Sequence, residues 1–249
     1  MKIGFIGTGM IATAMVEGIV HDGHDIFVTE RSRANSTRLA NTYANVTVAD
    51  SQAVIDKSEV VILALVDKAA RVVLPDLVFR PEQQVFSVIV GIDFAEMTQL
   101  VQPATMAGIF IPYPHIAKGG SPLLAYPASD TLEAIFGNKN TIIPMAEESM
   151  LNSYLAAQGV LCPTVKLLLE TSRWLTQRIG DAESAETFVR VLVGSYLLGV
   201  DEGETAVLQS LVDALGTEGG LNAELRDHFT DQGVYNILHS GLDQLETRF

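Results

Sequence analysis

Gly7, Thr8, Gly9, Met10, Ile11 and Ala12 form a G-x-G-x-x-A pattern between an apolar strand-like run and a helix-like one. Each small residue has a physical use there. Gly7 permits a tight turn, Gly9 lets a bulky ligand reach the backbone, and Ala12 lets helix and strand pack closely. The first amides of such a helix lack intrahelical acceptors and lie at the positive end of its dipole, so the ligand that suits them is a phosphate. Glu30 closes the next apolar run, twenty-one residues after Gly9, where an acidic side chain would meet the ribose hydroxyls of a dinucleotide. Dinucleotide binding is the expectation; the plainer alternative is a structural turn that merely uses glycine.

Arg31, Ser32 and Arg33 follow Glu30 directly. Glu30 favours NAD, because a carboxylate repels a 2′-phosphate, whereas two cations and a hydroxyl favour NADP. The balance leans slightly to NADP, with NAD as the alternative. Without a ligand, Ser32 reads as an ordinary helix cap and both arginines as solvated.

Two further stretches carry polar groups at useful places. In residues 111–127, IPYPHIAKGGSPLLAYP, Pro112 and Pro114 stiffen the chain around Tyr113. Tyr113 could line a nicotinamide, and His115 could donate a proton near neutral pH. Equally, His115 reads as a surface histidine in a rigid loop. In residues 216–222, GTEGGLN, Thr217, Gly219, Gly220 and Asn222 could present hydroxyl, backbone and amide donors to a carboxylate. The same residues could simply end one helix and start another, with Asn222 as the cap. Cys162, beside Pro163 in apolar surroundings, reads as inert core. No His, Cys, Asp or Glu cluster has metal-ligand spacing, so no metal is expected, and G-x-S-x-G is absent.

The elements that must position these residues alternate in the first half. Apolar runs at 2–7, 25–29, 60–65, 85–90 and 108–111 are separated by helix-like segments such as 11–20 and 32–43. Continuous apolar strands covered on both faces predict a parallel sheet in an α/β fold. Two more apolar pieces, 123–126 and 141–143, would extend it. After Pro144 strand-like runs cease, giving an expected division into residues 1–144 and a helical domain 145–249. Val165, Leu168, Leu169, Ser172, Leu175 and Ile179 share one helical face that Gly180 should terminate, and Pro163 should kink or divide that helix. Residues 185–199 are apolar enough to predict burial nearly all round, partly against another subunit.

At 249 residues, 48% hydrophobic and 18% charged, the chain can bury a sizeable core. A formal charge of −14 argues against a nucleic-acid partner, though not against a small anion in one local basic pocket. The single cysteine excludes an internal disulfide and points to a reducing compartment. The N-terminal stretch lacks the features of a secretory leader, and no apolar run is long enough to span a membrane. A soluble cytoplasmic protein is expected.

Together these stretches resemble the pyrroline-5-carboxylate reductase family along nearly the whole chain. KIGFIGTGMIATAMVEGI is similar to that family's opening strand, glycine turn and helix, SEVVILALVDKAA to its fourth strand and cofactor loop, and VFSVIVGI to its fifth strand. IPYPHIAKGG lies where the family reads MPNTP, and residues 147–180 align without gaps on its long first C-terminal helix. GTEGGLN, with Gly233 thirteen residues after Gly220, lies where the family has its SPGGTT turn and a later glycine. The resemblance implies a Rossmann-type NAD(P)-binding domain followed by an all-α domain that dimerises, with the active site at the subunit interface. It also implies hydride transfer from NAD(P)H to a cyclic imine, giving proline, with Ala64, Leu65 and Val66 beside the cofactor. Proximity, rather than covalent catalysis, would supply most of the rate.

The substrate half departs from the family pattern. Gln158-Gly159-Val160-Leu161-Cys162 stands in place of Ser-Gly-Ser-Gly-Pro, and Leu221 and Asn222 replace two threonines. Tyr113 replaces the asparagine of MPNTP, while Thr217 matches a serine. Tyr113, Gln158, Thr217, Gly219, Gly220 and Asn222 are the expected substrate-facing set, with fewer hydroxyl donors; each lost donor typically costs about 1 kcal/mol. Reduction of 1-pyrroline-5-carboxylate is the first expectation. The alternatives are a reductase of another imine or carbonyl, and a non-catalytic NADP-binding redox sensor.

Overall fold

The computed structural model describes residues 1–199 and 206–248. Eight strands make one sheet in the order β3-β2-β1-β4-β5-β6-β7-β8. They are β1 Lys2–Ile6, β2 Asp25–Thr29, β3 Val46–Ala49, β4 Val60–Leu63, β5 Gln84–Ser87, β6 Thr105–Pro112, β7 Pro122–Tyr126 and β8 Thr141–Pro144. Every adjacent pair is parallel except β6 with β7. The helices between them are α1 Met10–Ile19, α2 Arg33–Thr42, α3 Ser51–Lys57, α4 Asp67–Val73, α5 Phe94–Leu100 and a short α6 Asp130–Leu132 that runs on as a π-helical turn, Glu133–Gly137. This is the expected α/β architecture with its Rossmann-like parallel sheet.

Burial explains why the apolar runs became strands. Ile3, Phe5 and Ile6 of β1 and all of β4 are shielded, as parallel strands covered on both faces must be. Met15 and Ile19 of α1 join the same core as Phe86, Phe110 and Phe136. Phe110 sits edge-on to Phe86 with centroids 6.1 Å apart and tilted against Phe136 at 5.7 Å. Each such ring contributes about 1.5–3 kcal/mol by burial. The two late apolar pieces do extend the sheet, as β7 and β8. β3 went unforeseen: it has four residues, with Thr47 exposed and polar or turn residues on both sides.

By its contacts the chain divides into two units, Met1–Leu151 and Asn152–Phe249. The remaining helices are α7 Met150–Ala157, α8 Leu161–Ile179, α9 Ala182–Leu198, α10 Val207–Leu215, α11 Leu221–Asp231 and α12 Val234–Glu246. The break between α7 and α8 is a 3-10 turn, Gln158–Val160, and Pro163 lies in the first turn of α8. There its missing N–H removes no intrahelical bond. Gly180 ends α8 at φ 76°, donating to the Thr176 carbonyl at 2.9 Å, as a left-handed cap should.

Two expectations for this unit need correction. α9 is not buried all round: Ala185 and Val189 are buried, but Phe188, Val191, Leu192, Tyr196 and Leu197 are exposed. Among the described residues α9 packs mainly along α8, which leaves much of its circumference without cover. Cys162 is exposed rather than core, on the first turn of α8 next to the exposed Leu161.

Candidate functional site

β1 lies between β2 and β4, so the chain leaves it towards one side of the sheet and later returns to build the other. Such a reversal opens a crevice at the carboxyl end of the strand. The glycine turn sits there. Gly7 has φ 102°, and a Cβ on it would lie 2.3 Å from the Ala64 carbonyl oxygen, so the fold itself demands glycine. Gly9 is different. Its backbone, φ −73° and ψ −173°, is open to any residue, and a Cβ there would meet nothing within 4 Å. Among the described residues nothing requires that space to be kept clear; a ligand running along the backbone would.

α1 presents the matching donors. Thr13 N–H donates to the Gly9 carbonyl at 2.9 Å, beginning the helical ladder. The amides of Met10, Ile11 and Ala12 precede it and so have no intrahelical acceptor. The Met10 side chain is exposed, Ile11 is half-buried, and Ala12 is buried where close helix–strand packing needs a small residue. These features fit the phosphates of a dinucleotide.

Thr8 turns inward. Its Oγ1 donates to the Thr29 carbonyl at 2.6 Å, Gly7 N–H donates to Thr29 Oγ1 at 2.9 Å, and Asn35 Nδ2 donates to the Thr8 carbonyl at 2.9 Å. This network stitches the glycine turn to the end of β2 and to α2. Thr29 and Asn35 were missed from sequence, and no spacing rule marks them, because the contact exists only once β1 and β2 pair.

The stitching sets residues 30–33 alongside the glycine turn. Glu30, Arg31, Ser32 and Arg33 are all exposed. Ser32 occupies the N-cap position of α2, yet it makes no side-chain cap bond and has φ 70°, ψ 58°. A left-handed serine costs about 1 kcal/mol, so it is not the ordinary cap of the ligand-free reading, and its hydroxyl is left uncommitted. Among the described residues, Arg31 and Arg33 make no ion pair or side-chain hydrogen bond. A cavity of about 360 Å³ opens beside Glu30, Arg33 and the α2 residues Ser36, Thr37 and Asn41. Following β4, Ala64 and Leu65 are half-buried and Val66 is exposed.

β6 runs parallel to β5, so its carboxyl end lies at the same edge as that of β1. There the chain forms a 3-10 turn, Pro114–Ala117. Ile116 is buried; a Cβ on Gly18 of α1 would lie 2.5 Å from its carbonyl oxygen, so Gly18 lets the turn lie on α1. His115 is exposed; its carbonyl accepts from Lys118 N–H at 2.8 Å, and its imidazole has no hydrogen-bond partner among the described residues. Tyr113 is half-buried, and burial raises its hydroxyl pKa above the ordinary value, keeping it protonated and able to donate.

The remaining expected residues belong to the second unit. Gly220 N–H donates to the Thr217 carbonyl at 2.9 Å across a tight turn in which Gly219 has φ 72°. Gly220 is the N-cap of α11, so Asn222 is the second helical residue and not the cap. Thr217 and Asn222 are exposed, as is Gln158 in the turn before α8. Asn222 lines a cavity of about 420 Å³ together with Arg226, a residue that sequence reading passed over. Among the described residues, no three His, Cys, Asp or Glu side chains converge as a metal ion would need.

The fold and the glycine turn define a Rossmann-type dinucleotide-binding protein with a helical second unit. Residues 2–91 match the family described as NADP oxidoreductase, coenzyme F420-dependent. The chain is similar to the pyrroline-5-carboxylate reductase of Vibrio alginolyticus, 24% identical over 270 residues, covering 99% of this chain and 96% of that protein. In structure it is similar to a pyrroline-5-carboxylate reductase from Coxiella burnetii, with a TM-score of 0.80 and 20% identity over 99% and 96% of the two chains. It is also similar to the Plasmodium falciparum pyrroline carboxylate reductase solved with NADP bound, with a TM-score of 0.77 and 16% identity over 99% and 96%. The resemblance to the pyrroline-5-carboxylate reductases therefore runs the length of the chain and includes its fold.

Proposed function

We propose that this chain is an NADPH-dependent reductase of the pyrroline-5-carboxylate reductase type, acting on the C=N bond of 1-pyrroline-5-carboxylate. The observation that carries the cofactor half is Gly9: a glycine the fold does not need, beside three free helix amides. The amides of Met10, Ile11 and Ala12, with Gly7 and Gly9 clearing the approach, hold the pyrophosphate. Arg31, Ser32 and Arg33 hold the 2′-phosphate, and Glu30 meets the ribose. Residues 64–66 border the cofactor further along the sheet edge. When bound, the nicotinamide supplies a hydride.

The protein's own part is to orient the imine and exclude water. Thr217, the Gly219 and Gly220 amides, Gln158 and Asn222 face the substrate, and Tyr113 lines the pocket. His115 delivers the ring-nitrogen proton. Residues 1–144 carry the cofactor and 145–249 carry dimerisation and substrate recognition, in a cytoplasmic homodimer. The exposed apolar side of α9 supports that assembly.

A second reading, reduction of a less polar imine, is favoured by Val160, Leu161 and Leu221, all exposed where the family has small or hydroxyl residues. The experiment is NADPH oxidation with 1-pyrroline-5-carboxylate and uncharged cyclic imines side by side. Rapid turnover of the carboxylate substrate is expected. Turnover of the uncharged imines alone would move the substrate class, and binding of NADPH with no turnover would remove the enzyme reading.

A further inference from the structure

Resting on the reductase reading, we infer that Arg226 is a substrate-recognition residue of this chain, binding the carboxylate that lost its hydroxyl donors. Arg226 lies one helical turn beyond Asn222 on α11, and the two line the 420 Å³ cavity with Thr230. Val212, Leu215 and Gly216 at the end of α10 also line it, and Tyr235 adds a ring. The lining is thus apolar apart from a few groups, of which the guanidinium is the one full charge. A carboxylate entering it meets one cation, one amide and two hydroxyls.

The guanidinium is seated by its surroundings. A Cβ on Gly216 would lie 2.4 Å from Arg226 Nη1 and 2.8 Å from the Val212 carbonyl oxygen, so this glycine makes room for it. Nε donates to Asp227 Oδ1 at 2.8 Å, and Nη2 lies 2.8 Å from the same oxygen. Asp227 thereby orients the fork from one edge. Nη1 has no acceptor among the described residues.

Charge gives the second argument. Between Arg190 and Arg248 the sequence contains ten Asp or Glu residues and no Lys or Arg other than Arg226. An anion entering so acidic a stretch needs a local cation, whereas an uncharged imine does not. The resemblance replaces two threonine hydroxyls by Leu221 and Asn222, and one charge-assisted bond offsets the loss of two neutral donors. The departure at this turn is therefore a change of chemistry, with the carboxylate still recognised.

The test uses full-length wild type with the R226Q and R226K variants, each checked for unchanged helix content. L-proline binding by calorimetry reads the carboxylate site without turnover. NADPH oxidation with 1-pyrroline-5-carboxylate and with 1-pyrroline reads discrimination. R226Q should weaken L-proline and raise KM for the carboxylate imine by about 10–100-fold, leaving 1-pyrroline kinetics within about 2-fold. R226K should recover part of the loss. Unchanged L-proline affinity in R226Q, equal KM shifts for both imines, R226K as weak as R226Q, or no L-proline binding to wild type would each overturn the proposal. Failure of the reductase reading looks different: neither imine is consumed, while the L-proline titration still decides the role of Arg226.

Discussion

A Cβ at Gly7 would lie 2.3 Å from the Ala64 carbonyl oxygen, whereas one at Gly9 would meet nothing within 4 Å. The two glycines of one motif are thus separable by experiment. G7A forces an L side chain to φ 102° and pushes β1 from β4, and should destabilise the fold by about 2–4 kcal/mol. G9V adds bulk to open space and changes stability by roughly 1 kcal/mol or less, since valine is a poorer N-cap than glycine. Its effect should instead appear in NADPH affinity, weakened at least about 10-fold, equivalent to roughly 1.4 kcal/mol. Thermal melts and fluorescence titration of both variants check this. Unchanged NADPH affinity in G9V would reduce the motif to a turn. The motif was legible because both proposed roles fall on glycine; which glycine the fold itself requires needed coordinates.

At the scale of elements, the junction between β2 and α2 carries the residues proposed to choose the cofactor. Thr8, Thr29 and Asn35 tie this junction to the glycine turn, the proposed phosphate site, and Arg31 and Arg33 follow β2 within four residues of Thr29. If their free cations serve a 2′-phosphate, R31A/R33A should raise KM for NADPH by at least about 10-fold and leave KM for NADH within about 2-fold. Steady-state kinetics with both cofactors measure it, and equal shifts would mean the arginines act only on the general field. Legibility varied between elements for physical reasons. The long apolar runs announced β1, β2 and β4, because burial on both faces leaves no polar alternation. Val46–Ala49 is too short and too edge-like to do so, and a left-handed Ser32 carries no glycine to betray it. α9 read as buried because composition reports what a helix wants to cover, and not whether one chain provides the cover.

For the whole molecule that last point becomes a prediction about assembly. Phe188 and Leu192 are 58% and 44% exposed on one face of α9, with Val191 and Tyr196 exposed nearby. Apolar side chains clustered on one helix mark an interaction surface, and a second copy of this chain is the partner proposed here. Burying each fully would contribute about 1.5–3 kcal/mol. With a formal charge of −14 per chain, association works against repulsion, so it should tighten as salt rises from low to physiological strength. F188D/L192D should weaken the dimer by at least about 100-fold, roughly 2.7 kcal/mol, while leaving the circular dichroism spectrum unchanged, since both residues already face solvent within the chain. Sedimentation velocity across a concentration series measures it. A wild-type chain that stays monomeric at tens of micromolar, or a double variant as dimeric as wild type, would exclude this face of α9 as the contact. Coupling to function then follows: if the dimer completes the substrate pocket, the double variant should lose imine turnover while NADPH still binds to the glycine turn of its first unit.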